Sequence, residues 1–367
     1  MRKTIEKIKE RRAITLIALV VTIVVLLILA GITVGMVTGD NGLIKKAKSA
    51  KTQTEIDTEK SILDRATVLS MMRSKNGNLT VDIVEQALKD EAGKTKAEVS
   101  DAGDSIEVLF TDSNRYYEID KDGNVSEPQE VVKDEHAGDI TKGGRYDGSE
   151  EKPYEINCIE DLVILANRTN GLGNYIDENG EIKDAVAVTQ PFKGKNFVLT
   201  RTLNFESKFS YLKPELKWSY DSEKDTYKID ETSTTTLQEI ITDKNGVGFV
   251  PIGPDTGSGS KMFQGNFDGR NYSIQNLYEN RTNGNAGLFR SMWGATIKNL
   301  KLTGNINASE KQVGVFSYRA LGCKFYNCSN LVDVDARQAG GIASEVYGDI
   351  TIINCYNKGN QISRRID

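Results

Sequence analysis

The feature that most constrains the fold of this chain is a repeat in its last third. Three short glycine-containing segments recur at about 27 residues, at 286–289 (AGLF), 313–316 (VGVF) and 339–342 (AGGI). Each is followed by a glycine turn and an Asn-containing segment, so that Asn299, Asn327 and Asn354 recur at about the same spacing. A period of roughly 20 to 50 residues indicates the stacked coils of a solenoid.

The repeat also predicts which side chains face the core. A coil buries only part of its apolar set by itself, so we expect Ile297, Phe325 and Ile352 to stack on one another. Gly supplies positive φ at the corners of the coils, and Asn tolerates the left-handed region while it hydrogen-bonds locally.

These segments resemble the GLUG repeats of bacterial surface and secreted proteins, in which a Gly-Leu/Val-Phe/Ile strand and a Gly turn precede Thr-Ile-x-Asn-Cys-Tyr. The earlier segments VPIG…FQGNFDGRNYSIQNL and DGSEEKPYEI…EDLVILA are similar to the entry coils of such proteins. The resemblance covers most of 146–363 and implies a right-handed parallel β-helix on a cell surface, often in adhesin-like proteins. We assign the β-helix to 149–367 and interpret the Ser/Thr/Lys/Asp-rich segment 206–245 as a surface insertion.

The other end of the chain predicts a membrane helix. Residues 13–39 contain no charged residue, and the preceding segment has six basic residues against Glu6 and Glu10. A helix of this length reaches roughly 40 Å, enough to cross a bilayer core of about 30 Å, and a basic flank stays cytoplasmic. We therefore expect a single membrane-spanning helix at 14–39, with the C-terminal domains outside the cell.

Three interpretations of this segment are open: a cleaved secretory signal, an uncleaved signal anchor and a prepilin leader. The apolar run is longer than the roughly 7 to 15 residues of a secretory signal. The junction RRA-ITLIA and the following TGDNGLI resemble the class III leader of type IV pilins and pseudopilins. That resemblance implies a leader at 1–13, cut by a prepilin peptidase between Ala13 and Ile14.

The chain departs from this family at two positions. Ala13 stands where Gly is usual before the cut, and Ala18 stands where Glu is usual at the fifth mature position. In the family that Glu is thought to pair with the N-terminus of a neighbouring subunit, so its absence favours a membrane-held protein over a long filament. An apolar Ala also inserts into lipid at lower cost than a carboxylate.

Between the membrane helix and the repeats, the pattern predicts a small α+β head. Apolar residues at helical spacing predict a stalk helix from Leu43 to about Arg73 and a second helix from Val81 to about Ala92. Strands follow at 105–111 and 116–119. We assign 40–126 to this pilin-like head and the polar segment 127–148 to a linker. The predicted fold is therefore multidomain, with an N-terminal membrane-spanning α-helix, an α+β head and an all-β solenoid.

The cysteines and the histidine do not form the patterns of a disulfide framework, a catalytic site or a zinc site. Four cysteines are too few and too unevenly placed for a disulfide framework. Cys328 and Cys355 occupy equivalent places in consecutive coils and are expected to point inward with Leu300, either as small hydrophobes or as a disulfide. The single histidine, His136, lies in the predicted linker, so Ser-His, Cys-His and zinc sites lack partners.

One pair of acids remains as a catalytic candidate. Asp333 and Asp335 alternate with valines and are expected to point outward, with Arg337 beyond them. Some β-helix enzymes cleave polysaccharides with such acids, but an ordinary solvated face has the same pattern. We predict no catalytic, cofactor-binding or metal-binding residue. The net charge of −5 and the absence of a Lys/Arg stripe in the part of the sequence after the membrane helix predict no nucleic-acid partner.

The order of these parts leads to three hypotheses. The first is a membrane-anchored bacterial cell-surface protein that displays a β-helical adhesion module, whose partners are the lipid bilayer, a prepilin peptidase and an extracellular glycan or protein ligand. The second is a minor pilin or pseudopilin of a type IV pilus or type II secretion-like assembly, with pilin-like subunits as partners. The third is a polysaccharide-acting β-helix enzyme.

Overall fold

The computed structural model describes residues 43–74, 78–92, 96–130, 147–177, 179–255 and 259–363. The predicted leader, the cleavage position at Ala13 and Ile14, the membrane helix at 14–39 and His136 lie outside these residues. Among the helices in the described part of the chain, none combines the length and the apolar character needed to cross a bilayer.

The first unit is an α+β head in which two helices cover one face of an antiparallel sheet. Its elements are α1 (Leu43–Arg73), α2 (Val81–Ala92), β1 (Ala97–Asp101), β2 (Ser105–Phe110), β3 (Arg115–Asp120) and β4 (Gln129–Glu130). Helix α2 places Val84, Ala87 and Leu88 on one side, where they pack with Leu63 and Ala66 of α1. The sheet has the order β1-β2-β3-β4, and β4 extends the head into the segment interpreted as a linker.

A buried ion pair fixes the long helix to the sheet. Arg115 Nε and Nη2 each donate to a carboxylate oxygen of Glu59 at 2.9 Å, and Tyr117 Oη donates to the same carboxylate at 2.7 Å. Burial by itself would raise the pKa of Glu59, but the hydrogen bonds from Arg115 and Tyr117 outweigh it and lower the pKa. A bidentate pair of this kind defines the position of α1 on the sheet.

The second unit is a parallel β-solenoid of the right-handed type with about four turns, which confirms the fold predicted from the repeat. Its elements in chain order are β5 (Tyr154–Ile156), α3 (Ile159–Asn170), β6 (Asn174–Ile176), β7 (Ile182–Asp184), β8 (Asn196–Leu199), β9 (Leu203–Asn204), β10 (Trp218–Asp221), β11 (Thr226–Ile229), α4 (Leu237–Ile241), β12 (Asn266–Asp268), β13 (Ser273–Asn280), β14 (Phe289–Trp293), β15 (Thr296–Lys298), β16 (Lys301–Gly314), β17 (Ser317–Leu321), β18 (Lys324–Tyr326), β19 (Ser329–Gly340), β20 (Ala343–Tyr347), β21 (Thr351–Ile353), β22 (Tyr356–Asn357) and β23 (Gln361–Ser363).

The coils form three parallel sheets. Sheet I has the order β21-β18-β15-β12-β8-β5, and sheet III has the order β14-β17-β20. Sheet II has the order β22-β19-β16-β13-β9, with β23 also paired to β19. The aligned positions Ile297, Phe325 and Ile352 are paired in sheet I, as the repeat predicts, but only Ile297 and Phe325 are buried, whereas Ile352 is 48% exposed.

The asparagine corners have the left-handed backbone that the sequence predicts, but their side chains bond to the neighbouring coil rather than locally. Asn299, Asn327 and Asn354 have φ values of 53°, 53° and 54°. Their side chains form a ladder across the coils, in which Asn327 Nδ2 donates to Asn299 Oδ1 at 2.9 Å and Asn354 Nδ2 donates to Asn327 Oδ1 at 3.3 Å. The ladder starts at Asp268, whose Oδ1 accepts from Asn299 Nδ2. Each Asn therefore tolerates the left-handed conformation while its side-chain amide donates a hydrogen bond to the preceding coil.

The segment interpreted as a surface insertion, 206–245, contributes to the core instead. It contains the antiparallel hairpin β10–β11 and the helix α4, and the side chains of Trp218 and Tyr227 are fully buried in the main core of the solenoid. Although the segment is polar overall, it contains apolar residues at a spacing of two, which is the pattern of a half-buried strand. These are Trp218 and Tyr220 in β10, and Tyr227 and Ile229 in β11.

Candidate binding surface

The outer face of sheet I carries polar side chains in register. In β8, β12, β15 and β18 the second residue points into the core and is fully buried, namely Phe197, Phe267, Ile297 and Phe325. The residue before it points outward, and strand pairing aligns these positions across the coils in the row Asn196, Asn266, Thr296, Lys324 and Thr351. Neighbouring strands lie about 4.8 Å apart, so the face offers a hydrogen-bonding group at each coil.

A groove of about 430 Å³ lies on this face. Asn266 Nδ2 donates to Asn196 Oδ1 at 3.1 Å, and Lys298 Nζ lies 3.2 Å from Asp268 Oδ2. Burial by itself would raise the pKa of Asp268, but hydrogen bonds from Asn299, the Arg270 backbone and Lys298 outweigh it and lower the pKa. The groove therefore combines amides with a compensated carboxylate. Its polar lining is Glu150, Asn196, Asn266, Asp268, Arg270, Thr296 and Lys298.

The sequence analysis did not identify these residues as a site. The signal that could have found them is the triplet before each asparagine corner, TIK, KFY or TII, in which the flanking residues face outward. The corresponding triplet in the preceding coil, NFD, lacks the following Asn and is harder to align. The groove depends on that coil and on Asn196, which lies in a coil with no visible repeat.

Asp333 and Asp335 point outward from β19, as predicted, because Val332 and Val334 fill the core between them. Asp333 lies in a second groove, of about 290 Å³, at the junction of the head and the solenoid. Asp333 Oδ1 accepts from the backbone N–H of Asn360 at 2.8 Å. In this groove Glu206 pairs with Lys244 at 2.7 Å. Asp333 and Glu206 thus line the same groove, and Asp335 is not among its lining residues.

The cysteines are packed as hydrophobic side chains and are all free. Cys158, Cys323 and Cys328 are buried, and Cys355 packs against the same core. Burial, with a smaller effect from the neighbouring Cys355, raises the pKa of Cys328 to about 12, so this thiol stays protonated at neutral pH. The described part of the chain contains no group of three His, Cys, Asp or Glu side chains placed to hold a metal ion.

The head packs directly against the solenoid, a contact that the sequence analysis missed. Arg201, between β8 and β9, donates from Nη2 to Tyr116 Oη at 2.7 Å, and the ring of Phe209 lies 5.3 Å from that of Tyr116. Asn276 Nδ2 donates to the carbonyl oxygen of Ala102 at 3.1 Å. Ser207 Oγ donates to a carboxyl oxygen of Glu107. These contacts join residues between 85 and 174 positions apart, which leaves no local pattern in the sequence.

The hairpin β10–β11 is fixed to the solenoid by a buried charge cluster. Asp225 accepts from Arg290 Nη2 at 2.8 Å and from Arg281 Nη1. Tyr220 Oη donates to the same carboxylate at 2.8 Å. Burial raises the pKa of the nearby Glu279 to about 7, although both guanidinium groups oppose the rise.

These features define a class of protein: a parallel β-solenoid with a polar, grooved sheet face, joined through direct contacts to a small α+β head. Comparison of the chain with protein-family models, with curated proteins and with solved structures found no match.

Proposed function

We propose that this chain is a membrane-anchored bacterial cell-surface protein whose β-solenoid binds an extracellular glycan in the groove on sheet I. The observation that carries the proposal is the row of outward amide and hydroxyl groups on a rigid sheet, with Asn196, Asn266 and Thr296 in register at a groove. Sugar hydroxyls both donate and accept hydrogen bonds, so amides and hydroxyls in a fixed row match them. A site built on strands is also preorganised.

The order of the parts supports the membrane anchor. Helix α1 begins at Leu43, four residues after the apolar run that ends at Gly39. It packs against the antiparallel sheet of the head, which is the arrangement that the pilin-like leader implies. Because the head contacts the solenoid, an anchor at the N-terminal end would hold the binding face at the cell surface.

A role as a minor pilin or pseudopilin is the second candidate, favoured by one observation. The side chains of Val68 and Met72 on α1 are 59% and 78% exposed, and they lie one helical turn apart. An exposed apolar stripe on this helix could pack against pilin-like subunits. Recovery of the chain in sheared filament preparations would support this role, and its confinement to the membrane fraction would oppose it.

The anchor makes a prediction for the double variant Leu26→Arg/Leu27→Arg. Each arginine at the centre of a membrane helix costs about 2.5 to 3.5 kcal/mol on insertion scales. We expect the wild-type chain in the membrane fraction, accessible to protease in intact cells, and the variant largely absent from it. N-terminal sequencing of the extracted wild type should begin at Ile14 if a prepilin peptidase acts.

Leu26→Ala/Leu27→Ala is the matched control and should remain in the membrane. An intact Met1 would show an uncleaved signal anchor and would remove the prepilin peptidase as a partner. A wild-type chain recovered in solution, without detergent, would contradict the anchor itself.

The groove makes a separate prediction for Asn266→Ala, which removes the central amide. Loss of one or two net hydrogen bonds, each worth about 1 kcal/mol, should weaken glycan binding roughly tenfold. The measurement is binding of the full chain in detergent micelles to a glycan array, followed by titration of the best glycan.

Asn307→Ala is a suitable control, because Asn307 Nδ2 also donates to an Asn of the preceding coil, at 3.3 Å, but on sheet II. We expect this variant to bind as the wild type does. Equal loss in both variants would show that the ligand does not use the groove, and no binding to any glycan would overturn the proposed ligand class.

A further inference from the structure

The contact between the head and the solenoid closes over a carboxyl group. Glu107 of β2 is 1% exposed, and its hydrogen-bond partner across the contact is the neutral hydroxyl of Ser207, in the turn after β9. A buried carboxylate is stable when a cation or several N–H donors compensate it. A single hydroxyl is a weak substitute for either.

The groups around Glu107 do not compensate its charge fully. On the head side it faces Glu118 and Tyr116 of β3, and on the solenoid side it faces Arg201 and Lys208. The exposed Lys208 is paired with Glu98 of β1 at 3.1 Å. Arg201 donates to Tyr116, and its Nε and Nη1 have no hydrogen-bond partner among the described residues. The guanidinium group is therefore near Glu107 but does not bond to it.

Burial is the main influence on this acid. It raises the pKa of Glu107 to about 7, with a further rise from Glu118, while the Ser207 hydroxyl and the two cations oppose the rise. Burial also raises the pKa of Glu118, so the head places two acids at the contact that ionise less readily than in water. At acidic pH Glu107 is protonated and neutral, so its burial does not carry the free-energy cost of desolvating a charge.

We propose that the contact between the head and the solenoid is a pH-sensitive latch, closed while Glu107 is protonated and opened when this carboxyl group ionises. Because its pKa in the closed state lies above its ordinary value of 4.5, the stabilisation is complete below about pH 4.5 and is lost as the pH rises through about 7. The remaining polar contacts are single hydrogen bonds, from Arg201 to Tyr116 and from Asn276 and Asn204 to Ala102, together with the exposed ion pair of Lys208 and Glu98. Opening would free the solenoid to move relative to the anchored head.

The test is a distance measurement on the full chain in detergent micelles. Spin labels are placed at the exposed positions 89 and 324 through Lys89→Cys and Lys324→Cys, in a Cys355→Ser background, because the other cysteines are buried. We expect one narrow distance at pH 5 and a broad, longer distribution at pH 8.5, with the change complete once the pH has passed the pKa of about 7. Glu107→Gln, which keeps the shape and the Ser207 partner, should hold the narrow distance at both pH values.

Glu85→Gln on the exposed side of α2 is the matched control and should open as the wild type does. A distance that does not change with pH in the wild type would overturn the latch. Opening that persists in Glu107→Gln would overturn the role of this residue and point to Glu118, its cross-strand neighbour, whose pKa burial also raises. A thermal melt of Glu107→Gln at pH 5 that matches the wild type shows that the variant is folded.

Discussion

Asp225→Asn should lower the free energy of unfolding by about 3 kcal/mol, because it leaves two buried guanidinium groups without their carboxylate. Arg281 and Arg290 both donate to Asp225, and their side chains are only 2% and 7% exposed. Asparagine has nearly the same shape but carries no charge, so the variant isolates the electrostatic contribution. The measurement is urea-induced unfolding of the full chain in detergent micelles at neutral pH.

The pH dependence of this cluster follows from the direction of the shift. Burial by itself would raise the pKa of Asp225, but Arg281 and Arg290 outweigh it and lower the pKa below 3.8. A lowered pKa gives stability that is present above the ordinary pKa and is lost as the pH falls through the folded value. The free energy of unfolding of the wild type should therefore fall on strong acidification. Asp225→Asn lacks the contribution of the ionised carboxylate at every pH, so this part of the fall should be missing in the variant.

Glu223→Gln provides the control for Asp225→Asn. Glu223 is an exposed acid two residues earlier on the same hairpin, so its change to an amide should alter the unfolding free energy by less than about 0.5 kcal/mol. Equal effects of the two variants would mean that the hairpin responds to its total charge. A neutral effect of Asp225→Asn would mean that the cluster does not fix β10–β11 to the solenoid.

The parts of the fold that could be predicted from the sequence are those with a local period. The stalk helix predicted from Leu43 to about Arg73 and the second helix both match the structure, and the 27-residue repeat gave the strand pairing of the last coils. The asparagine corners were predicted for the right physical reason, since all three have positive φ.

The parts that could not be predicted depend on contacts between distant residues. Trp218 and Tyr227 lie in a polar segment, and their burial comes from the coil that they cover. Glu107 looks like one polar residue in an apolar strand until Ser207 is placed against it, 100 positions later. The groove on sheet I requires the register of β8 and β12 before its amides can be seen as neighbours.

The positions of the repeated glycines could be read from the sequence, but the physical cause of the repeat was predicted only in part. Of Gly287, Gly314 and Gly340, only Gly287 has positive φ, at 129°. All three lie where backbone of a neighbouring segment passes very close. A Cβ at Gly314 would stand 1.9 Å from the carbonyl oxygen of Ser317, and one at Gly340 would stand 2.2 Å from that of Ala343. Close approach of backbone, rather than φ, excludes a side chain at these two positions.

Gly314→Ala should therefore be strongly destabilising although its φ is ordinary, with a loss of about 3 kcal/mol in the free energy of unfolding. The Cβ would also lie 2.6 Å from the backbone nitrogen of Ser344 in the next coil, so neither neighbour can yield by a side-chain rotation. Coils stabilise one another through their shared interfaces, so separation at this point also weakens the last coil. Urea unfolding of the full chain in micelles measures the loss.

The variant Gly322→Ala separates the effect of this clash from the free-energy cost of placing alanine at a positive φ. Gly322 lies in the same coil with φ of 57°, and a Cβ there would meet nothing within 4 Å, so we expect a loss of only about 1 kcal/mol. If close approach is the reason for the repeated glycine, Gly314→Ala must be clearly worse than Gly322→Ala, although only the second residue has positive φ. The opposite order would mean that the coils can move apart by the width of a methyl group, and that the glycine period in the sequence reports corner geometry alone.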